Sequence, residues 1–147
     1  MLSQSAMGVP WPVRHIRDMK TYRDLKVWQA GYEVALELHR DVRTFPMEER
    51  FEMSRDLRRT SRSVIYNITE GSGRRTAKQQ IHFLNIAAGS ASELECQVLL
   101  SGDLGLLPRP RVEEYLARIA AIRRMLYGMM EAVARETTSK AARKRSR

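Results

Sequence analysis

Apolar side chains recur at alternating spacings of three and four in four separate stretches of this chain, and no stretch keeps a period of two. A spacing of three and four returns a side chain to the same side of an α-helix, whereas a half-buried strand needs strict alternation. That pattern confines the chain to an all-helical fold. In the first stretch Leu25, Trp28, Tyr32, Ala35, His39 and Val42 share a face, Asp24 is the expected N-cap, and Pro46 stops the run. The second carries Ser54, Leu57, Ser61, Val64 and Ile68, flanked by Ile65, with Gly71 as the expected C-cap.

Thr76 with Gln79 three residues on reads as a capping box opening the third stretch, whose stripe is Gln80, Leu84, Ala87, Ala91, Leu94 and Val98. Small residues at 87–92, Gly89 among them, suit a seam where two helices approach closely. Gly102, Gly105, Pro108 and Pro110 punctuate the next connection. The fourth stretch gives Val112, Tyr115, Ile119, Ile122, Leu126, Met129 and Val133, widened by Leu116, Met125 and Met130. Four amphipathic helices on short connections predict an antiparallel up-and-down four-helix bundle over residues 22–136. Residues 1–21 read as a partly flexible N-terminal extension. Residues 137–147 lack an apolar face and read as a disordered basic tail.

The 147 residues include one cysteine, Cys96, which excludes an intramolecular disulfide and any metal site built on several thiolates. The N-terminal residues have no basic run ahead of an apolar one, and no apolar stretch approaches the ~18 residues that span a bilayer. A cytoplasmic protein without a membrane partner is expected. The sequon Asn67-Ile68-Thr69 then carries no weight. Gly71-Ser72-Gly73 with Arg74 and Arg75 is not a phosphate loop either, because no strand precedes it and no Gly-Lys-Ser/Thr ending follows.

Catalytic and metal constellations are not indicated. His15, His39 and His82 form no pair at helical spacing, and no Glu-x-x-His motif occurs. His39 reads as a seam histidine with a hydrogen-bonded ring, and Cys96 as an inert helix thiol with no adjacent cation. Glu93 and Glu95 are two apart and cannot share a helix face; one of them is expected to point inward or toward a neighbouring subunit and to pair with arginines of the second helix. No enzyme activity, cofactor or metal is expected.

The net charge of +9 becomes informative once it is located. Residues 1–23 carry +3, residues 137–147 carry +5, and the 113 residues between them only +1. Within that near-neutral body Arg55, Arg58, Arg59 and Arg62 stand at i, i+3, i+4 and i+7, followed by Arg74, Arg75 and Lys78 at the next corner. Two readings stay open: a solvated face paired with acids on other helices, or a track that neutralises the phosphates of RNA or DNA. Lys140, Arg143, Lys144, Arg145 and Arg147 in the tail pose the same choice, with no aromatic residue among them for base stacking. Tyr22, Trp28, Tyr32, Phe51, Met125, Met129 and Met130 read as core or subunit-interface material.

Particular words of the chain also resemble a known family. "YRDLKVWQAGYEVALELHR" (22–40), the stretch 45–97 and "RRMLYGMM" (123–130) are similar to the bacterial four-helix-bundle family also called the rRNA intervening-sequence protein family. Asp24 and Trp28 in the first of these, and Asn67, Glu70, Gly71, Gly89, Glu93 and Glu95 in the second, are the identifying positions. The resemblance implies an up-and-down bundle that assembles with itself as a homopentameric ring. It also implies kinship with the accessory variability determinant of diversity-generating retroelements, a ring that binds nucleic acid and a reverse transcriptase. A nucleic-acid-binding adaptor is therefore expected, with a purely structural ring as the alternative. Two departures stand out. Tyr66 occupies the place of a mid-helix proline common in the family, so no kink is expected there. Family members often begin near the equivalent of Met19, so residues 1–18 read either as an extension or as the product of an upstream start codon.

Overall fold

The computed structural model describes residues 21–146, except the side chains of Glu49 and Arg50. Four long helices account for most of them: α1 (Lys26–Asp41), α3 (Met53–Ser72), α4 (Ala77–Asp103) and α5 (Arg109–Arg145). A single-turn helix, α2 (Met47–Arg50), precedes α3. Each long helix packs on the next in the chain, and α1 also packs on α5, which closes the four around one core. No strand occurs among the described residues, and none of their helices is long and apolar enough to cross a membrane.

The core follows the expected stripes closely. Val34, Leu38, Leu57, Val64, Ile68, Leu84, Ala87, Ala91, Leu94, Val98, Tyr115, Ile119, Ile122 and Leu126 are all buried. Each contributes the free energy of removing apolar surface from water, about 25 cal/mol per Å². On α5 the stripe drifts: Met130 is buried, whereas Met129 and Val133 are only half-buried.

Several helix ends differ from the expectation. Asp24 does not cap α1; it lies in a 3-10 turn, Tyr22–Asp24, where its carboxylate accepts the Thr21 N–H at 3.1 Å. Leu25 takes the N-cap position, and Gln29 donates to the Arg23 carbonyl at 2.8 Å instead. Gly71 is not a C-cap. It lies inside α3, which ends at Ser72 with Gly73 as its cap in an ordinary right-handed conformation. An added Cβ at Gly71 would stand 3.1 Å from Phe83 Cβ and 3.3 Å from the Gln80 carbonyl, so this glycine exists for close approach to α4. Thr76 does cap α4, accepting the Gln79 N–H at 3.2 Å. The one described residue with positive φ is Gly105, at 74°, in the turn between α4 and α5.

Gly89 also departs from its expected role. Its neighbours Ala87, Ala88, Ser90 and Ala91 are buried, but Gly89 faces outward with no atom within 4 Å of where a Cβ would be. α3 runs unbroken through Tyr66, as the missing proline implies.

The basic tail is the largest correction. Residues 137–145 are not irregular but continue α5. Residues 129–146 contain no glycine or proline and are rich in Ala, Glu, Lys and Arg. Good helix formers extend an existing helix at little cost even without an apolar face. Glu136 and Lys140 form an i,i+4 ion pair at 2.6 Å, and Arg143, Lys144 and Arg145 sit favourably at the negative end of the helix dipole. Residues 1–20 of the N-terminal extension, His15 among them, and Arg147 lie outside the described residues.

Candidate nucleic-acid interface

The arginines fall into two groups that differ in what surrounds them. The first group lies on seams between helices, and carboxylates neutralise it. Arg111 of α5 reaches α1, where its Nε donates to Asp41 Oδ2 at 2.7 Å and Nη2 to Glu37 at 3.3 Å; Nη1 donates to Glu114 at 2.9 Å. Arg118 pairs with the same Glu37 and, at 3.6 Å, with Glu114. The buried Tyr115 hydroxyl donates to Asp41 Oδ2 at 2.6 Å, and its ring lies 4.5 Å below the Arg111 guanidinium. Burial raises the Tyr115 pKa well above the ordinary phenol range, and the hydrogen bond to Asp41 adds to it. Burial alone would weaken the Arg111 charge, but hydrogen bonds to Asp41 and Glu114 outweigh it and hold its pKa above the usual value. This network joins residues about 70 positions apart, and no local pattern announces it.

Arg123 belongs to the same group. It donates to Glu95 at 2.8 Å across the α4–α5 seam. The expectation of an arginine partner for Glu95 holds, but the partner comes from α5 rather than from the second helix of the bundle. Glu93 does face that helix, 3.8 Å from Arg59, with both side chains more than half exposed.

The second group lies outside the bundle. Arg55, Arg59 and Arg62 project outward from α3, while Arg58 is half-buried. Arg59 is shared between Asp56 at 3.6 Å and Glu93. Arg62 donates its Nε to the Arg58 carbonyl at 3.2 Å. Arg62 also borders a shallow apolar groove of about 160 Å³ between α1 and α3, lined by Tyr32, Leu36, His39 and Ile65. Arg55, Arg58 and Arg62 make no ion pair with a described carboxylate. At the α3–α4 corner, Arg74 pairs with Glu70 and stacks 4.8 Å over the Phe83 ring, whereas Arg75 and Lys78 are exposed and unpaired among the described residues. At the end of α5, Lys140 is engaged by Glu136, while Arg143, Lys144 and Arg145 make no ion pair among the described residues.

The remaining identifying positions are structural. Trp28 stacks on Tyr32 at 4.8 Å and donates its indole N–H to Thr69 Oγ1 at 3.0 Å, tying α1 to α3. Asn67 donates to the Ser63 carbonyl at 2.8 Å, and Ser63 meets Ser90 of α4 at 2.7 Å between their hydroxyls. His39 holds its ring against the Ala35 carbonyl at 2.7 Å, as expected of a seam histidine. His82 packs edge-on against Phe83, and Cys96 is an exposed free thiol on α4. No cluster of three or more potential metal ligands occurs among the described residues.

One outward residue deserves a place beside the arginines and was visible in the sequence only as a missing proline. Tyr66 is 61 % exposed and follows Arg62 by one helical turn on the same side of α3. Its orientation is implied by the spacing Arg55, Arg59, Arg62, Tyr66, which is the same three-and-four rhythm carried by the outward face.

The fold and this exposed basic face define a class: an all-helical four-helix protein with paired seams and unpaired outer cations. The family described as 23S rRNA-intervening sequence protein matches residues 23–128, and the chain belongs to it. A crystal structure of a protein of unknown function from the S23 ribosomal protein family of Bacteroides thetaiotaomicron is similar in fold. It has a TM-score of 0.67 and 24 % identity, and the match covers 71 % of this chain and 95 % of that one. No curated protein matches the chain.

Proposed function

We propose that this chain is a non-enzymatic, nucleic-acid-binding adaptor, an antiparallel up-and-down bundle that works in the cytoplasm as a homopentameric ring. The observation that carries the binding reading is the division of the arginines. Those on the seams are matched by Asp41, Glu37, Glu114 and Glu95, so carboxylates were supplied wherever the fold needed neutral pairs. Arg55, Arg62, Arg75, Lys78, Arg143, Lys144 and Arg145 lack such partners among the described residues and face solvent. Unpaired outward cations meet phosphate at little desolvation cost and release condensed counterions on binding. The family's description, with its reference to 23S rRNA, favours RNA as the first nucleic acid to test. Ring symmetry would repeat each cation and merge modest patches into one positive surface.

The test is a titration of the full chain with structured RNA and with duplex DNA across a series of salt concentrations. Binding should weaken linearly on a log–log plot, and Arg55→Ala/Arg62→Ala and truncation after Glu136 should each flatten the slope. Absence of binding at low salt would remove the proposal. A second reading, a ring with no nucleic-acid partner, draws on the Arg59–Glu93 pair and on exposed Leu100 and Tyr127. It expects the α3 arginines to matter for sedimentation and not for RNA.

A further inference from the structure

The outward face of α3 carries more than charge. At 100° per residue, Arg55, Arg59, Arg62 and Tyr66 fall within an arc of about 60°. Along the axis they follow one another at intervals of about 4.5–6 Å. Tyr66 is 61 % exposed, and no hydrogen bond or ring contact engages it among the described residues. An exposed tyrosine with no hydrogen-bond or ring partner among the described residues, at the end of a row of cations, has the composition of a stacking platform. Phe51, 77 % exposed, lies in the turn before α3 and precedes the first arginine in sequence.

We infer that this face binds single-stranded nucleic acid, with Arg55 and Arg62 on phosphates and the Tyr66 ring against an unstacked base. The inference rests on the nucleic-acid reading above and deepens it by choosing the strand state. The aromatic ring makes the choice. A single strand can turn a base out of its stack, and such a base is what an exposed ring can receive. A duplex offers its phosphates to the arginines but keeps its bases paired and out of reach of Tyr66. The end of α5 has cations and no aromatic residue, so it contributes affinity for either form.

The experiment measures binding of the full chain to a uridine homopolymer and to an RNA duplex of equal nucleotide length, at matched salt, for the native protein and three variants. Tyr66→Ala should lower affinity for the single strand by about tenfold, the effect of losing one stacked base, and leave duplex affinity unchanged. Its salt slope should equal that of the native chain, because no phosphate contact is lost. Tyr66→Phe keeps the ring and should bind like the native protein. Arg62→Ala should instead flatten the single-strand slope by about 0.7, the contribution of one phosphate. Equal losses on both ligands for Tyr66→Ala, or no loss on either, would overturn the inference while leaving the nucleic-acid reading in place. A smaller sedimentation coefficient for Tyr66→Ala would also overturn it, by assigning the ring to a subunit contact. No binding of the native protein to either ligand would end both readings together.

Discussion

At the scale of single residues, the most informative side chain is Tyr115. It is fully buried in the apolar stripe of α5, yet its hydroxyl shares Asp41 with Arg111. Tyr115→Phe leaves the ring packing intact and removes one donor to a charged acceptor, which should cost about 1.5–3 kcal/mol in chemical denaturation. The same hydroxyl makes stability depend on alkaline pH. Its folded-state pKa lies above the ordinary value of 10.0, so the folded chain keeps the proton that the unfolded chain releases. Stability from this group is complete below pH 10 and declines as the pH rises beyond it. Denaturant midpoints measured from pH 8 to 11 should fall at the upper end for the native chain and less so for Tyr115→Phe. Gly71 offers a second test. Gly71→Ala places a methyl group 3.1 Å from Phe83 Cβ and 3.3 Å from the Gln80 carbonyl of the same helix, and should destabilise by about 1–3 kcal/mol through overpacking. The residue looks like a helix terminator in the sequence because glycine commonly ends helices. Its actual reason, a neighbour from α4, is a tertiary fact that no local pattern contains.

At the scale of elements, the helices were legible because burial imposes the three-and-four rhythm directly on residue type. Leu57, Val64 and Ile68 on α3 and Ile119, Ile122 and Leu126 on α5 are both the stripe and the core. Exposed faces lack that constraint, and there the reading was poorer. Gly89 is the clearest case: its small neighbours pack inward, while it faces outward over open space. Gly89→Ala should therefore relieve the entropic cost of a mid-helix glycine and stabilise the isolated chain by about 0.5–1 kcal/mol. A raised thermal midpoint checks this, and a lowered one would show that another surface lies tightly against α4. The end of α5 follows the same logic in reverse. Missing apolar residues argue against packing, not against helix, and residues 134–145 are helical while exposed throughout. Truncation after Ala134 should leave the thermal midpoint within about 2 °C, since surface changes away from packed features rarely exceed 0.5 kcal/mol.

At the scale of the whole molecule, the question is what the exposed apolar side chains of α4 and α5 meet. Leu100, on the outward side of α4 with Gly89 and Cys96, is 48 % exposed, and Tyr127 of α5 is 49 % exposed. Scattered apolar residues are ordinary on a surface, but a helix face that is small in the middle and apolar beyond it can be approached closely by another helix. A self-associating bundle uses such a face without covering Arg55 or Arg62, which lie on a different helix, although Arg59 reaches its edge through Glu93. The two surfaces should then separate under mutation. Leu100→Glu puts a charge in the proposed contact and should shift sedimentation velocity profiles toward smaller species, with helical content by circular dichroism unchanged because the site is outside the core. Arg55→Ala/Arg62→Ala should leave the same profiles as they are. An unchanged profile for Leu100→Glu would move the subunit contact elsewhere, and dissociation by the arginine variant would place it on α3. In that last case the cations would be serving assembly, and the division between paired and unpaired arginines would no longer argue for a phosphate-bearing ligand.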